Sequence, residues 1–273
     1  MKKFLCILLS LMLLAAAGAA FAEEEEGDGA GEVIVLEDLE EISEELLEDS
    51  EPYVPDDADK AVFGKDDRVT VRNPSQYPYS AIAYMDVHAK CGCTWTCNGF
   101  MTDKDRLLTA AQCLMCEKHS KWADRITFYF GYKNSRNYSY KYTGGWSAYV
   151  GNDFSGGFST SYNYGIMKLD KNIGNSTGWF GTHWGWSDSQ LESKYLYVAG
   201  YQDGGTMKYD SGYVNAQDSQ RMVFRFDVGR GGAGGPIFGT DDYAVGIMIA
   251  DNSSNNIGYR LTSSMYKEYQ KKK

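Results

Sequence analysis

From residue 61 onward the chain is a succession of short runs rich in β-branched and aromatic residues, each stopped by Gly, Asn, Asp or Ser. Positions 68–72, 80–85, 125–130, 195–199, 222–226 and 244–249 are such runs. Runs of this length suit strands that bury one face. Their near-regular spacing, with turn residues between, argues for an all-β body built as a sandwich or as barrels. A helical pattern occurs only at the end, over 262–270, where Thr262 is placed to cap and Met265, Tyr266 and Tyr269 share a face. No internal repeat, phosphate loop or dinucleotide fingerprint interrupts the pattern, so no cofactor is expected.

The first 60 residues are of another kind. Lys2 and Lys3 precede an apolar run that ends in Ala20-Phe21-Ala22, and Glu23 to Glu26 follow at once. A charged start, an apolar stretch and small residues at its end describe a secretory signal peptide over 1–22. The stretch is marginal against the roughly 20 apolar residues of a membrane span. Export to the extracellular space is therefore expected, with no membrane attachment once the signal is removed. Cys6 lies inside the leader and is lost with it.

Residues 23–60 carry 18 acids and one lysine, which leaves 61–273 with a surplus of five positive charges although the whole chain stands at −10. A segment so charged is extended in isolation, even though Leu36, Leu39, Ile42, Leu46 and Leu47 fall at helical spacing. It reads as a removable pro-segment resting on a mildly basic body, with a solvated tail as the alternative. A body this weakly basic gives no reason to expect a nucleic-acid partner.

Five cysteines remain in the body, Cys91, Cys93, Cys97, Cys113 and Cys116, all within 26 residues. In an oxidising compartment disulfides are the default, but an odd number leaves at least one thiol over. The Cys-x-Cys and Cys-x-x-Cys spacings also supply thiolates for zinc. A cysteine nucleophile is a third option, and it needs a base from among His88, His119 and His183. Disulfides are the preferred reading, so no metal is expected.

Three further segments stand out in order. They are Leu107-Leu108-Thr109-Ala110-Ala111-Gln112-Cys113, then Ser161-Tyr162-Asn163-Tyr164-Gly165-Ile166-Met167-Lys168-Leu169, then Gly229-Arg230-Gly231-Gly232-Ala233-Gly234-Gly235-Pro236-Ile237-Phe238. In this order they resemble the His, Asp and Ser motifs of chymotrypsin-like serine proteases, and most closely those of secreted bacterial glutamyl endopeptidases. The stretches at 62–68, 77–82, 173–181 and 256–262 resemble that family's mature start, first core strand and later landmarks, so the likeness covers nearly all of 61–273. The resemblance implies a trypsin-like serine protease domain of two six-stranded antiparallel β-barrels, with the active cleft between them, a C-terminal helix, and export as a pro-protein. It also implies a bridge between Cys97 and Cys113, which leaves Cys116 free to bridge to Cys91 or Cys93, a pairing the sequence leaves open.

The sequence departs from the family where the chemistry is done. Gln112 stands for the His, Asn163 for the Asp and Ala233 for the Ser. Such a hydrolase needs an oxygen nucleophile, a base that titrates near neutrality and a carboxylate to hold that base. Ala233 has no oxygen, and an amide neither takes nor returns a proton near pH 7. The backbone amides of Gly231 and Ala233 survive such replacements, so the resemblance still implies an oxyanion hole there. Met248 stands where glutamyl endopeptidases carry a His that holds the substrate's glutamate, and offers that pocket only soft apolar contact.

Three functions fit these residues. The first is a secreted pseudoprotease that binds a peptide, a protein or its own acidic pro-segment without cutting it. The second is a glutamyl-endopeptidase-like enzyme whose triad was deliberately or recently inactivated by near-isosteric swaps. The third is a Cys-rich binding module, suggested by the clustered thiols and the abundant Tyr.

Overall fold

The computed structural model describes residues 23–24, 31–35 and 65–271, apart from 152, 155, 157–158 and 252–253. The signal-peptide expectation and most of the acidic segment lie outside the described residues. In chain order the strands begin with β1 (Glu23–Glu24), β2 (Gly31–Val35), β3 (Val69–Thr70), β4 (Ile82–Ala89), β5 (Thr94–Met101) and β6 (Arg106–Thr109). They continue with β7 (Met115–Cys116), β8 (Lys121–Phe130), β9 (Tyr140–Tyr142), β10 (Trp146–Val150) and β11 (Gly165–Leu169). After α1 (Gly174–Thr177) come β12 (Gly181–Thr182), α2 (Asp188–Glu192), β13 (Tyr195–Gln202), β14 (Thr206–Tyr213) and β15 (Asn215–Ala216). The chain ends through β16 (Arg221–Phe224), β17 (Pro236–Gly239), β18 (Tyr243–Asp251), β19 (Asn256–Arg260) and α3 (Ser263–Lys271).

The strands form two sheets. One has ten strands, in the order β1-β9-β8-β4-β5-β6-β11-β10-β2, with β7 pairing on β8. The other has nine, in the order β15-β16-β19-β18-β17-β13-β14-β3, with β12 pairing on β18. The all-β class holds, but the expected pair of closed six-stranded antiparallel barrels does not. Among the described residues the end strands of neither sheet hydrogen-bond to each other, so both sheets are curled and open. Three pairings, β1 with β9, β2 with β10 and β12 with β18, are parallel.

The physical reason for the open seam lies at the ends. The end strands β1, β3 and β15 are each two residues long, too short to carry a closing ladder. In the first sheet β2 also occupies the gap, since it pairs with β10 and packs against β8. Curl comes from register shifts at His88/Ala89, Ile237/Phe238 and Met248/Ala250.

Period-two burial explains why these runs are strands. Along β8, Ala123, Ile126, Phe128 and Phe130 are buried, and on β10 Trp146, Ala148 and Val150 alternate inward in the same way. Each such Phe contributes about 1.5–3 kcal/mol by leaving water. A large core runs through the first sheet and into the second, and a smaller one gathers Leu196, Val198, Met222, Phe224 and Ile237.

The C-terminal helix lies within a residue of the sequence expectation. The Thr262 hydroxyl accepts from Met265 N at 3.2 Å and so caps α3. Met265 and Tyr269 are buried, whereas Tyr266 is exposed and only brushes Trp184 with its ring. α3 docks on the first sheet, where the Arg106 guanidinium lies 4.2 Å from the centre of the Tyr269 ring. Two one-turn helices were not expected from the sequence. α2 is closed by a capping box between Ser187 and Gln190.

Candidate functional site

Between the sheets lies a cleft of about 1060 Å³. The first sheet supplies Trp95, Gln112 and Cys116 to its wall, and the second supplies Asp203, Arg230 and Ala233. The three motif residues come to it from separate elements. Gln112 sits on a single 3-10 turn, Ala111–Leu114, directly after β6. Asn163 sits two residues before β11, and Ala233 lies in the glycine-rich turn before β17.

Gln112 and Asn163 form one hydrogen-bonded unit. Gln112 N donates to Asn163 Oδ1 at 3.1 Å, and Asn163 Nδ2 donates to Gln112 Oε1 at 2.7 Å. Asn163 Nδ2 also donates to Ser159 O at 2.8 Å, and Gln112 Nε2 donates to Ile249 O at 2.6 Å. Backbone groups fix both amide orientations. Ile249 O and Ser159 O can only accept, and the Gln112 N–H can only donate. Asn163 is fully buried, so each of its polar atoms needs the partner it has.

Tyr164, next to Asn163, packs its ring 5.2 Å from that of Tyr259, and burial raises both phenols, so both stay neutral near pH 7.

The glycine-rich turn is held from the first sheet by Asn98 on β5, a residue the sequence reading did not single out. Asn98 is fully buried. Its backbone N–H donates to Ala233 O at 2.9 Å, and its Nδ2 donates to Gly231 O at 2.8 Å and to Tyr201 O at 3.1 Å. Its Oδ1 accepts from Tyr201 N at 2.6 Å. A polar residue in a run otherwise buried is the one signal that marks it in sequence. Gly234 follows Ala233 with φ +84°, and a Cβ there would stand 2.0 Å from Asn98 O, so only glycine fits. Among the described residues the N–H groups of Gly231 and Ala233 serve no backbone hydrogen bond, and both residues line the cleft.

The remaining sequence candidates are placed as follows. Cys97 and Cys113 form a disulfide that joins β5 to the Gln112 turn. Cys91, Cys93 and Cys116 are thiols, so the bridge from Cys116 to Cys91 or Cys93 is not made. Met248 on β18 is 3% exposed and packs its side chain in the smaller core; it does not line the cleft, but its backbone pairs with Gly234 and Gly235 just after Ala233. His88 lies 3.7 Å from Asp86, and His183 is stacked between Trp186 and Tyr243.

His119 is the exception among the histidines, with Nδ1 3.3 Å from Cys93 Sγ and 3.6 Å from Cys116 Sγ. Hydrogen bonding to Cys116 pushes the Cys93 thiol up to about 11. Burial works to raise Cys116, but hydrogen bonds from Cys93 and His119 outweigh it and bring the thiol down to about 7. This imidazole stands beside thiols at one wall of the cleft and not beside Ala233 on the glycine turn.

No family model matches the chain. It is 26% identical to the extracellular metalloprotease of Bacillus subtilis (strain 168) over 217 residues, which are 77% of this chain and 69% of that protein. It is 27% identical to the glutamyl endopeptidase of Bacillus licheniformis over 221 residues, 76% of this chain and 67% of the other. Among solved structures, a Glu endopeptidase in complex with MPD superposes with a TM-score of 0.64 at 21% identity, over 78% of this chain and all of that one. The protease Anisep from Arthrobacter nicotinovorans does so with a TM-score of 0.60 at 19% identity, over 72% of this chain and 97% of that one. Sequence likeness along three quarters of the chain, together with the shared fold, makes this protein a homologue of the chymotrypsin/trypsin-like serine proteases, on their glutamyl-endopeptidase-like side.

Proposed function

We propose that the chain is an exported pseudoprotease, which binds a peptide or protein segment in the cleft between its sheets and does not hydrolyse it. The observation that carries this reading is the Gln112–Asn163 amide pair. It stands where a base and its orienting acid would stand, with every hydrogen bond satisfied and no ionisable group. Ala233 takes the nucleophile's place and brings only a methyl group. Loss of the nucleophile or the base alone costs about 10⁶ in turnover in related hydrolases, and further losses add little. The unengaged amides of Gly231 and Ala233 are donors for a carbonyl oxygen of a bound segment, in the manner of an oxyanion hole. Met248 brings no charge with which to select a glutamate side chain.

Residues 1–22 serve export in this reading, and 23–60 are the pro-segment. The described part of that segment pairs with β9 and β10 at the sheet edges. Its acidic remainder is a candidate occupant of the cleft, whose wall carries Lys118 and Arg230 beside Asp86, Glu117 and Asp203. The test is direct. The exported protein, with and without 23–60, is given a fluorophosphonate probe and casein. No labelled serine and no turnover are expected, together with saturable binding of a fluorescent peptide library. Labelling of one serine, or turnover with burst kinetics, would overturn the proposal.

A second reading is favoured by one observation. The amide pair keeps a mutual hydrogen bond at the base and acid positions, as near-isosteric replacement of a working pair would. Gln112→His, Asn163→Asp and Ala233→Ser made together separate the two readings. Restored cleavage indicates a protease inactivated deliberately or recently, and continued inactivity indicates a cleft already committed to binding.

A further inference from the structure

Three thiols and one imidazole converge at one end of the cleft. Cys91 and Cys93 lie on the tight turn that joins β4 to β5. That turn is closed by Gly92 N donating to Ala89 O at 2.8 Å and Ala89 N donating to Cys93 O at 3.0 Å. Gly92 adopts φ +82°, which brings the two flanking cysteines to the same side. Cys116 ends β7, and His119 follows it three residues later in a turn. One ligand atom from each of Cys91, Cys93, Cys116 and His119 lies within 4.8 Å of all the others.

That spacing is what a tetrahedral ion requires. Zinc–sulfur bonds of about 2.3 Å and a zinc–nitrogen bond of about 2.0–2.1 Å place sulfurs about 3.8 Å apart and each sulfur about 3.6 Å from the nitrogen. The observed separations from His119 Nδ1 to Cys93 and Cys116 are 3.3 and 3.6 Å. We propose that Cys91, Cys93, Cys116 and His119 bind a structural transition-metal ion of zinc type, which clamps the β4–β5 turn to the loop that carries Gln112. Four protein ligands fill a tetrahedral shell and leave no position for water or substrate, so the site is structural and not hydrolytic. Binding needs all three sulfurs as thiolates and releases their protons to solvent.

Two other uses of the cluster fit less well. A disulfide takes two sulfurs and leaves the third thiol and the imidazole without a role, whereas a metal uses all four groups. A thiol nucleophile served by His119 would need a third group to orient the ring and amide donors aimed at the attacked carbonyl. The amides of Gly231 and Ala233 belong to the other wall of the cleft. The clamp has a clear mechanical purpose. The Cys97–Cys113 disulfide ties the Gln112 turn to β5 at one point, and the metal would tie the other end of the same short loop to the turn before β5. The inference does not depend on whether the cleft is hydrolytic.

The test uses the full chain as exported. Native mass spectrometry and elemental analysis are expected to show one zinc per chain. The three thiols should resist a disulfide reagent until a chelator is added and then react together. Replacement by Co²⁺ is expected to give the intense visible bands of a tetrahedral centre with thiolate charge transfer, the latter falling by about a third in Cys91→Ser. His119→Ala should weaken binding by more than the roughly 10–100-fold lost when an outer supporting group is removed. His119→Cys, which completes another common zinc ligand set, should retain the metal. Three findings would each overturn the proposal. They are a disulfide between any two of Cys91, Cys93 and Cys116 in the freshly exported protein, absence of stoichiometric metal in protein made in zinc-replete medium, and peptide cleavage abolished by alkylating Cys116. Because the first readouts use the unaltered protein, a variant that fails to fold does not blunt them.

Discussion

Asn163→Asp is the most exacting probe of the amide pair. Today Asn163 Nδ2 donates to Gln112 Oε1 at 2.7 Å and to Ser159 O at 2.8 Å. An aspartate would set a second carboxylate oxygen against both of those acceptors, with only the Gln112 N–H at 3.1 Å left as a donor. A flip of the Gln112 amide brings Nε2 to the carboxylate, but it turns Oε1 against Ile249 O, which now accepts at 2.6 Å. The conflict with Ser159 O remains in either case. Burial and facing acceptors both disfavour the ionised form, so the folded-state pKa of the new carboxyl lies above its unfolded value near about 3.9.

The sign follows from that inequality. Ionisation of an acid whose pKa is raised by folding costs nothing below its unfolded pKa. It then destabilises by up to about 1.4 kcal/mol for each pH unit until the folded pKa is reached. A rise of about three units, ordinary for a buried carboxyl, makes the loss roughly 4 kcal/mol at neutral pH. Urea unfolding of the parent and of Asn163→Asp at pH 4, 5, 6 and 7 reads this directly, as two curves separated near pH 4 by about 1–3 kcal/mol, because the protonated acid has one donor for two acceptors, and diverging further above it. Adding Gln112→His supplies a ring N–H to the carboxylate, and the double variant should recover about 2–3 kcal/mol beyond additivity. A stability difference that is flat with pH, or strictly additive single and double variants, would refute the description of Gln112 and Asn163 as one coupled unit.

Asn98→Ala leaves Tyr201 N–H and Gly231 O without the partners they hold at 2.6 and 2.8 Å. At about 1–3 kcal/mol for each buried group, calorimetry should show Tm lower by roughly 5–15 °C, with peptide affinity falling in parallel. Gly234→Ala forces a Cβ to within 2.0 Å of Asn98 O at φ +84°, so a loss of about 3 kcal/mol or more is expected in chemical denaturation, and unchanged stability would contradict the close approach. The Arg68 guanidinium, hydrogen-bonded to Asp66, holds that carboxyl down at about 2. Arg68→Leu should return it to near about 4 by NMR titration. Because Asp66 is 44% exposed, its stabilisation, present above pH about 4 and lost as pH falls towards 2, is small.

Much of the architecture is legible in sequence because period-two burial is written into the residues. The runs at 125–130 and 244–249 lie inside β8 and β18, and Thr262 caps α3. Closure of the sheets is not legible, because it depends on whether strands far apart in the chain meet at an edge. Nothing local in Val69–Thr70 or Asn215–Ala216 says that they end a sheet. The motif order brought Gln112, Cys97 and Cys113, and Asn163 to notice, but their hydrogen bonds needed coordinates. Asn98 escaped because its importance lies in reach across 133 residues to Gly231. His119 was one of three histidines the sequence offered to the cysteines and could not be singled out, because its spacing from Cys91 and Cys93 follows no short motif; the β4–β5 turn and the loop after β7 bring them together.

The amide pair also bears on the proposed reading of the cleft as a binding site. A working site of this type holds a buried carboxylate and an imidazole that must gain and lose a proton, and charge held out of water is costly unless every partner is in place. Gln112 and Asn163 keep the hydrogen bonds of such a pair while carrying no charge, so their stability does not vary across ordinary pH. Ala233 likewise brings no hydroxyl, and the backbone of its turn is held by Asn98 and by the close passage at Gly234. Under the function proposed above, a cleft with these walls, this disulfide and these amide donors, and with no buried charge to hold at the pair, keeps a chain segment in place and does not turn it over.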